Sequence, residues 1–277
     1  MLPTGRSSYP FPDPRGAGRQ VTVQAYRPAA YTAESPILVV AHGRARNGAD
    51  YRDYFVPESD RRGFLVVAPE FPEALYPNPY AYNYGNMCDA NGKILPRGEW
   101  LFPVLEAMFR DARERAGSKR DRFFLFGHSA GSQLVHRMAT FGWLDSIERA
   151  VAANAGSYTL PVHGEQFPFG LDGAPEVGED GIRRLFSRPI IVQLGSADID
   201  PNDPHLPREP GAMRQGPYRF ARGRNYFDTA RREAERLGVR LAWRLSIVPG
   251  VAHSGQNMAP HATKELFGEA LAGATTR

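Results

Sequence analysis

A chain of 277 residues, 42% of them hydrophobic, is long enough to bury one large core. Its net charge of +4 rests on arginine, with only Lys93, Lys119 and Lys264 as lysines, and pairs such as Arg61-Arg62 and Arg231-Arg232 alternate with acids as solvated faces do, which excludes a nucleic-acid-binding stripe. Cys88 is the single cysteine, so no disulfide can form within the chain, and no apolar stretch approaches the length needed to cross a membrane.

Residues 1–18 contain proline and glycine but no apolar h-region, so they read as an irregular N-terminal segment rather than a signal peptide. The chain as written reads as cytoplasmic, with export expected only if a leader has been removed. Val21 to Tyr26 alternates and predicts an early, edge-type strand. Ile37 to Ala41 and Phe64 to Ala68 are buried-strand runs, separated by a short helical region over Ala49 to Arg62. Glu99 to Arg115 has helical spacing through Leu101, Val104, Leu105, Met108 and Phe109. Arg122 to Phe126 is an apolar strand run, and Gln133 to Ala139 continues in helical spacing. Further strands follow at Ile147 to Ala153, Pro189 to Leu194 and Leu241 to Val248, with late helices at Tyr226 to Leu237 and Pro260 to Leu271. Strands alternating with helices imply one domain over 1–277, built on a mostly parallel sheet covered on both faces.

Between the strand run ending at Phe126 and the helix that follows stands Gly127-His128-Ser129-Ala130-Gly131, a G-x-S-x-G pentapeptide. A strand turning sharply into a helix at a serine presents the hydroxyl at the C-terminal edge of the sheet, and the flanking residues must be small. Such a serine needs a general base, and the base needs a carboxylate to hold its tautomer. The run ending at Leu194 leads into Gly195-Ser196-Ala197-Asp198, and the last strand leads into Pro249-Gly250-Val251-Ala252-His253. Serine, acid and histidine thus fall in that order just past strand ends. Asp200 is the reserve for the acid, and His261 for the histidine, although Pro260 before it suggests a helix start. Asp198 to Pro204 places oxygen-bearing residues at alternate positions, but Asp203 stands where a calcium-binding loop needs glycine, so no EF-hand and no metal site is expected. His136, on the helix after the pentapeptide, reads as a core residue.

These motifs resemble the α/β-hydrolase fold, and more narrowly the serine esterases grouped with polyhydroxybutyrate depolymerases and feruloyl esterases. The resemblance rests on His42-Gly43 after the third strand, the turn at Ser129, the G-x-x-D at Gly195 to Asp198 and the G-x-x-H at Gly250 to His253. It implies a serine hydrolase acting on a small or oligomeric carboxylic ester through an acyl-enzyme, with Ser129, Asp198 and His253 as the triad and no cofactor. A peptidase or amidase with the same triad, or a non-catalytic binding protein on this fold, are the alternatives. The oxyanion hole is implied to come from the backbone N–H groups of Ala130 and, by resemblance, Arg44.

Long loops at Glu70 to Arg97, Ser157 to Gly181 and Pro201 to Gly223 interrupt the alternation where an open sheet places its crevice. Tyr82 and Tyr84 on the first loop, with Trp100, are expected to line an acyl, aryl or sugar-bearing pocket. His128 is a further candidate at its edge, although its place in the turn points it away from the nucleophile toward structural hydrogen bonding.

Overall fold

The computed structural model describes residues 1–16, 18–175 and 177–268. Its strands are β1 (Gly5–Pro12), β2 (Gln20–Arg27), β3 (Ile37–Ala41), β4 (Leu65–Glu70), β5 (Phe123–His128), β6 (Ile147–Ala153), β7 (Ile190–Gly195) and β8 (Arg244–Val248). They form one open sheet in the order β1-β2-β4-β3-β5-β6-β7-β8. The β1–β2 and β2–β4 pairings are antiparallel and every other pairing is parallel. The helices are α1 (Gly48–Tyr54), α2 (Val56–Arg62), α3 (Asn78–Ala81), α4 (Phe102–Ala116), α5 (Ala130–Phe141), α6 (Glu179–Ser187), α7 (Pro210–Gln215), α8 (Arg219–Leu237) and α9 (Gly255–Phe267). This is the α/β-hydrolase arrangement.

The central strands read as continuous apolar runs because both of their faces are covered. In β5, Phe123 and Leu125 face a core built with α4, α5, α6 and α8, whereas Phe124 and Phe126 face a second core with α1, α2 and α9. All twelve residues of α5 are buried, which fixes the helix that begins at the serine turn more firmly than any surface helix of the molecule. No helix among the described residues is long and apolar enough to cross a membrane.

Several boundaries differ from the sequence expectations. The N-terminal segment contains β1 where an irregular stretch was expected, and β2 therefore lies inside the sheet rather than at its edge. Tyr9 and Phe11 of β1 point to the core, while Pro10 and Pro12 face outward on the true edge strand, where a missing N–H costs nothing. The region over Ala49 to Arg62 is two helices that share Phe55 as C-cap and N-cap. The helix expected from Tyr226 begins seven residues earlier, at Arg219, and α7 occupies part of the third long loop. Pro260 lies inside α9 and does not start it; Ser254 caps that helix by accepting the Asn257 N–H at 3.2 Å. The expected end of that helix, at residues 269–271, lies outside the described residues.

Candidate active site

Ser129 stands between the end of β5 and the start of α5 with φ 56° and ψ −113°. A non-glycine residue takes this backbone only where its surroundings impose it. The imposing contacts are close approaches at the two glycines. A Cβ at Gly127 would come to 2.3 Å from the carbonyl oxygen of Gly131, and one at Gly131 would come to 2.1 Å from that of Ala41. The Ser129 N–H donates to Ala153 O at 2.9 Å, tying the turn to the end of β6.

The loops after β7 and β8 bring Asp198 and His253 to that hydroxyl. They are laced together by Ala197 N–H to Val251 O at 2.9 Å and by Gly250 N–H to Ser196 Oγ at 2.8 Å. His253 Nε2 lies 3.0 Å from Ser129 Oγ, and its Nδ1 lies 2.7 Å from Asp198 Oδ2. With the proton on Nδ1, the imidazole donates to the carboxylate and accepts from the hydroxyl. Asp198 is buried and the His253 side chain is 24% exposed, so the acid is sequestered while the base reaches the cleft. Asp200, the alternative acid, is exposed and accepts only the Asn202 N–H (2.8 Å) among the described residues. His261 is exposed on α9, in a separate pocket with Asp53 and Pro57.

A cleft of about 910 Å³ opens over Ser129, and its walls include Arg44, Tyr84, His128, Ala130 and His253. Ala130 is the first residue of α5, so its N–H has no acceptor within the helix. Arg44 sits on the opposite lip after β3, next to Gly43, at which a Cβ would stand 3.8 Å from Ser129 Cβ. The Arg44 N–H meets no backbone carbonyl among the described residues, and its exposed guanidinium has no carboxylate partner there.

Of the aromatic residues expected to line the pocket, only Tyr84 does so. Tyr82 is completely buried: its hydroxyl donates to His42 O at 2.8 Å, and its ring stacks on His42 at 4.6 Å and on the Arg46 guanidinium at 4.4 Å. It therefore supports the lip that carries Gly43 and Arg44 from behind. Trp100 is likewise buried, with its indole N–H donating to Leu95 O at 2.9 Å and its ring edge-on to Phe102. Both corrections have one physical cause: the polar tip of a buried aromatic finds a carbonyl, here His42 O just past β3 for Tyr82 and Leu95 O within the loop for Trp100.

His128 does not point away from the nucleophile. Its ring packs on that of His253 at 4.7 Å, and the Tyr51 hydroxyl lies 2.8 Å from its Nδ1. Burial, reinforced by His253 and Arg219, holds the His128 imidazole far below its ordinary pKa, so it stays neutral beside the base. His42 is neutral for the same reason, pushed down to about 3 by burial, with Nδ1–H donating to Gly43 O (2.9 Å) and Nε2 accepting the Phe71 N–H (3.0 Å). His136 is a core residue as expected, bonded to Ser132 O at 2.9 Å and to the Thr159 N–H at 3.0 Å.

The roof of the cleft is fastened by three arginines. Arg46 reaches the carbonyls of Tyr76 (3.1 Å) and Asn78 (3.3 Å). Arg137, fully buried, reaches those of Asn83 (3.4 Å) and Pro168 (3.1 Å) and stacks on Tyr84 at 4.2 Å. Arg222, also fully buried, reaches those of Gly156 (2.6 Å), Pro207 (2.9 Å) and Gly216 (2.9 Å). These residues, together with Tyr51 and Arg219, escaped the sequence analysis. Arginine is abundant in this chain, and no local spacing separates a buried guanidinium from a solvated one.

No protein-family model matches the chain, and no curated protein matches it. Among solved structures it is similar to poly(aspartic acid) hydrolase-1 from Sphingomonas sp. KT-1, at 38% identity and a TM-score of 0.90, over 96% of this chain and 99% of that one. It is similar to LpqC, a poly(3-hydroxybutyrate) depolymerase from Bordetella parapertussis, at 39% identity and a TM-score of 0.88, over 95% of this chain and 89% of that one. The S-formylglutathione hydrolase FrmB of Staphylococcus aureus shares the fold at 13% identity and a TM-score of 0.59, over 95% of this chain and 97% of that one. The full-length likeness to two hydrolases, on a sheet whose strand ends gather a serine, a histidine and an aspartate, places the chain in the α/β-hydrolases of the depolymerase and esterase type.

Proposed function

We propose that this protein cleaves a carboxylic ester by a Ser129–His253–Asp198 triad through an acyl-enzyme. The observation that carries this reading is the two-sided hydrogen bonding of His253, 3.0 Å to the serine hydroxyl and 2.7 Å to the carboxylate. Ser129 Oγ attacks the acyl carbonyl carbon as its proton passes to His253 Nε2. The resulting imidazolium keeps its Nδ1–H on Asp198 Oδ2. The tetrahedral oxyanion is received by the N–H groups of Ala130 and Arg44, fixed donors that need no reorganisation as charge develops. The tetrahedral carbon expels the alcohol, which takes the proton from Nε2. Water, giving its proton to the same nitrogen, then attacks the acyl carbon; the second tetrahedral intermediate expels Ser129 Oγ, which takes that proton back, and the acid leaves. His128 contributes by staying uncharged, so the imidazolium never faces a second cation across 4.7 Å.

Labelling with a fluorophosphonate at neutral pH, with the modified peptide located by mass spectrometry, tests this reading. Modification at Ser129 that vanishes in His253→Ala is the expected result. A folded wild-type protein that stays unlabelled would remove it.

A second reading takes the same triad to an amide. It is favoured by the guanidinium of Arg44 at the lip of the cleft, which has no carboxylate partner among the described residues, together with the similarity to a poly(aspartic acid) hydrolase. Poly(aspartic acid) is joined by amides and carries a carboxylate on each unit, which a free guanidinium suits. Hydrolysis of poly(aspartic acid) but not of hydroxyalkanoate esters, with KM rising in Arg44→Ala, would favour the amide; the reverse selectivity favours the ester.

A further inference from the structure

The triad acid has a neighbour that the mechanism above does not use. Arg219 is the first residue of α8, and its side chain is buried at 3% exposure beside the Asp198 side chain at 4%. One guanidinium nitrogen, Nη1, lies 2.8 Å from Asp203 Oδ2 and 3.6 Å from Asp198 Oδ1, a hydrogen bond to the first carboxylate and a close ion pair with the second. The oxygen of Asp198 that faces Arg219 is the one His253 does not use, since His253 Nδ1 meets Oδ2. The backbone closes the same circuit: the Phe220 N–H, next in the chain after Arg219, donates to Asp198 O at 3.1 Å. Asp203 is itself fixed by the His205 N–H at 2.7 Å, so the loop from Asp198 to His205 wraps around the guanidinium.

Resting on the triad reading, we propose that Arg219 is a positioning residue: its guanidinium holds the Oδ1 side of Asp198 so that Oδ2 is presented to His253, and Asp203 neutralises the cation that does so. Arg219 also borders the cleft, but in this role it acts through Asp198 rather than on substrate. A buried arginine beside a catalytic carboxylate, uncompensated, would compete with His253 for the negative charge that stabilises the imidazolium. With Asp203 in place the added pair is neutral overall, and the orientation is gained without that competition. Asp203 lies close enough to Arg219 and His253 that both help to hold its carboxyl down to about 2, so it remains an anion throughout the working range. The charged and titratable groups that face His253 are Asp198 and Asp203 on the loop after β7, Arg219 at the start of α8 and the neutral His128 at the end of β5.

The arrangement makes an opposed pair of predictions. Removing the cation leaves an extra negative charge near His253 and raises the pH at which the imidazole loses its proton. Removing Asp203 leaves an extra positive charge and lowers it. The test is the rate of fluorophosphonate labelling of the full-length protein as a function of pH, which reads the basic form of His253 without requiring the natural substrate. Arg219→Met is expected to move the acid limb of that profile up by about one pH unit, and Asp203→Asn to move it down by a similar amount. The double variant is expected to return the limb to the wild-type position, and Arg219→Lys, which keeps the charge, to hold it there. Labelling at the plateau should fall about tenfold in Arg219→Met, far short of the ~10⁴-fold loss that follows when a triad acid no longer orients its histidine. Should Arg219→Met fail to fold, Asp203→Asn decides alone. Limbs of folded Arg219→Met and Asp203→Asn that both coincide with wild type overturn this proposal and leave the triad standing. A wild-type protein that does not label overturns the triad and this proposal together.

Discussion

The floor of the cleft and its roof are built by different rules. On the floor, Ser129, Asp198 and His253 each sit within a few residues of a strand end, so the sheet brings them close before any loop contact completes the site. On the roof, the three long loops have no sheet to order them, and arginines reach in from the loop after β3, from α5 and from α8 to hold their carbonyls. Floor residues are positioned first by the strand ends that carry them, and roof residues chiefly by arginines reaching in from other elements. That contrast predicts where substitutions are absorbed and where they are not.

The largest effect should come from the floor. Gly131→Ala drives a methyl group against the carbonyls of Ala41 and His42, which are backbone and cannot step aside. Destabilisation of about 4 kcal/mol or more is expected, with loss of soluble protein or of all labelling at Ser129. A thermally normal Gly131→Ala protein would mean that the floor is softer than its contacts imply.

Acid should strike the lip between the two regions next. His42 is neutral in the fold with its pKa at about 3, against 6.5 when free, so the unfolded chain takes up a proton that the folded one refuses. The contribution of His42 is complete above pH 6.5 and declines as pH falls toward 3, by on the order of 4 kcal/mol. Buried His128 and His136 act in the same direction. Urea unfolding at neutral and acid pH should therefore show a much smaller pH-dependence in His42→Gln than in wild type. Equal slopes would exclude His42 as the source.

The roof comes third. Arg137→Met leaves the carbonyl of Asn83 without its buried donor, that of Pro168 with the Thr159 hydroxyl alone and Tyr84 without its cation, costing about 3 kcal/mol. Limited proteolysis should then cut within 70–97 and 157–181 first, while fluorophosphonate still labels Ser129. Cleavage in the sheet connections instead would erase the distinction between floor and roof. The smallest effect is expected from Tyr82→Phe, which removes one hydrogen bond to His42 O at a cost of about 1 kcal/mol. A fall in kcat with KM unchanged would show that the loss is felt at the lip carrying Arg44; a rise in KM alone would return Tyr82 to the pocket wall.

The same contrast explains what could be read in advance. Ser129 was legible because G-x-S-x-G between a strand and a helix is a steric statement, complete within five residues. Asp198 and His253 were legible because apolar runs mark strand ends. Tyr82 and Tyr84 have the same side chain, two residues apart, and nothing in the sequence says that one faces His42 and the other the cleft. Pro260 misled because proline favours the first turn of a helix, whereas here the cap at Ser254 starts α9 five residues before it. β1 was hidden by Pro10 and Pro12, which suit an outermost strand but carry no sign of where the sheet stops. Arg219 and Asp203 were hidden because their relation exists only once the acid loop has closed around α8.

The arginine fasteners have a consequence for how such a protein can change. They grip main-chain oxygens, which every amino acid supplies, so beyond the few side chains they also touch (Glu73, Tyr82, Tyr84 and Met213) they are indifferent to what the roof displays. A planar fork of donors can serve two or three strands of loop at once, a task for which a lysine's single ammonium is poorly shaped. The roof can thus be resurfaced, one side chain at a time, without touching its attachments. A new specificity could arise on this scaffold while the machinery beneath it is left alone.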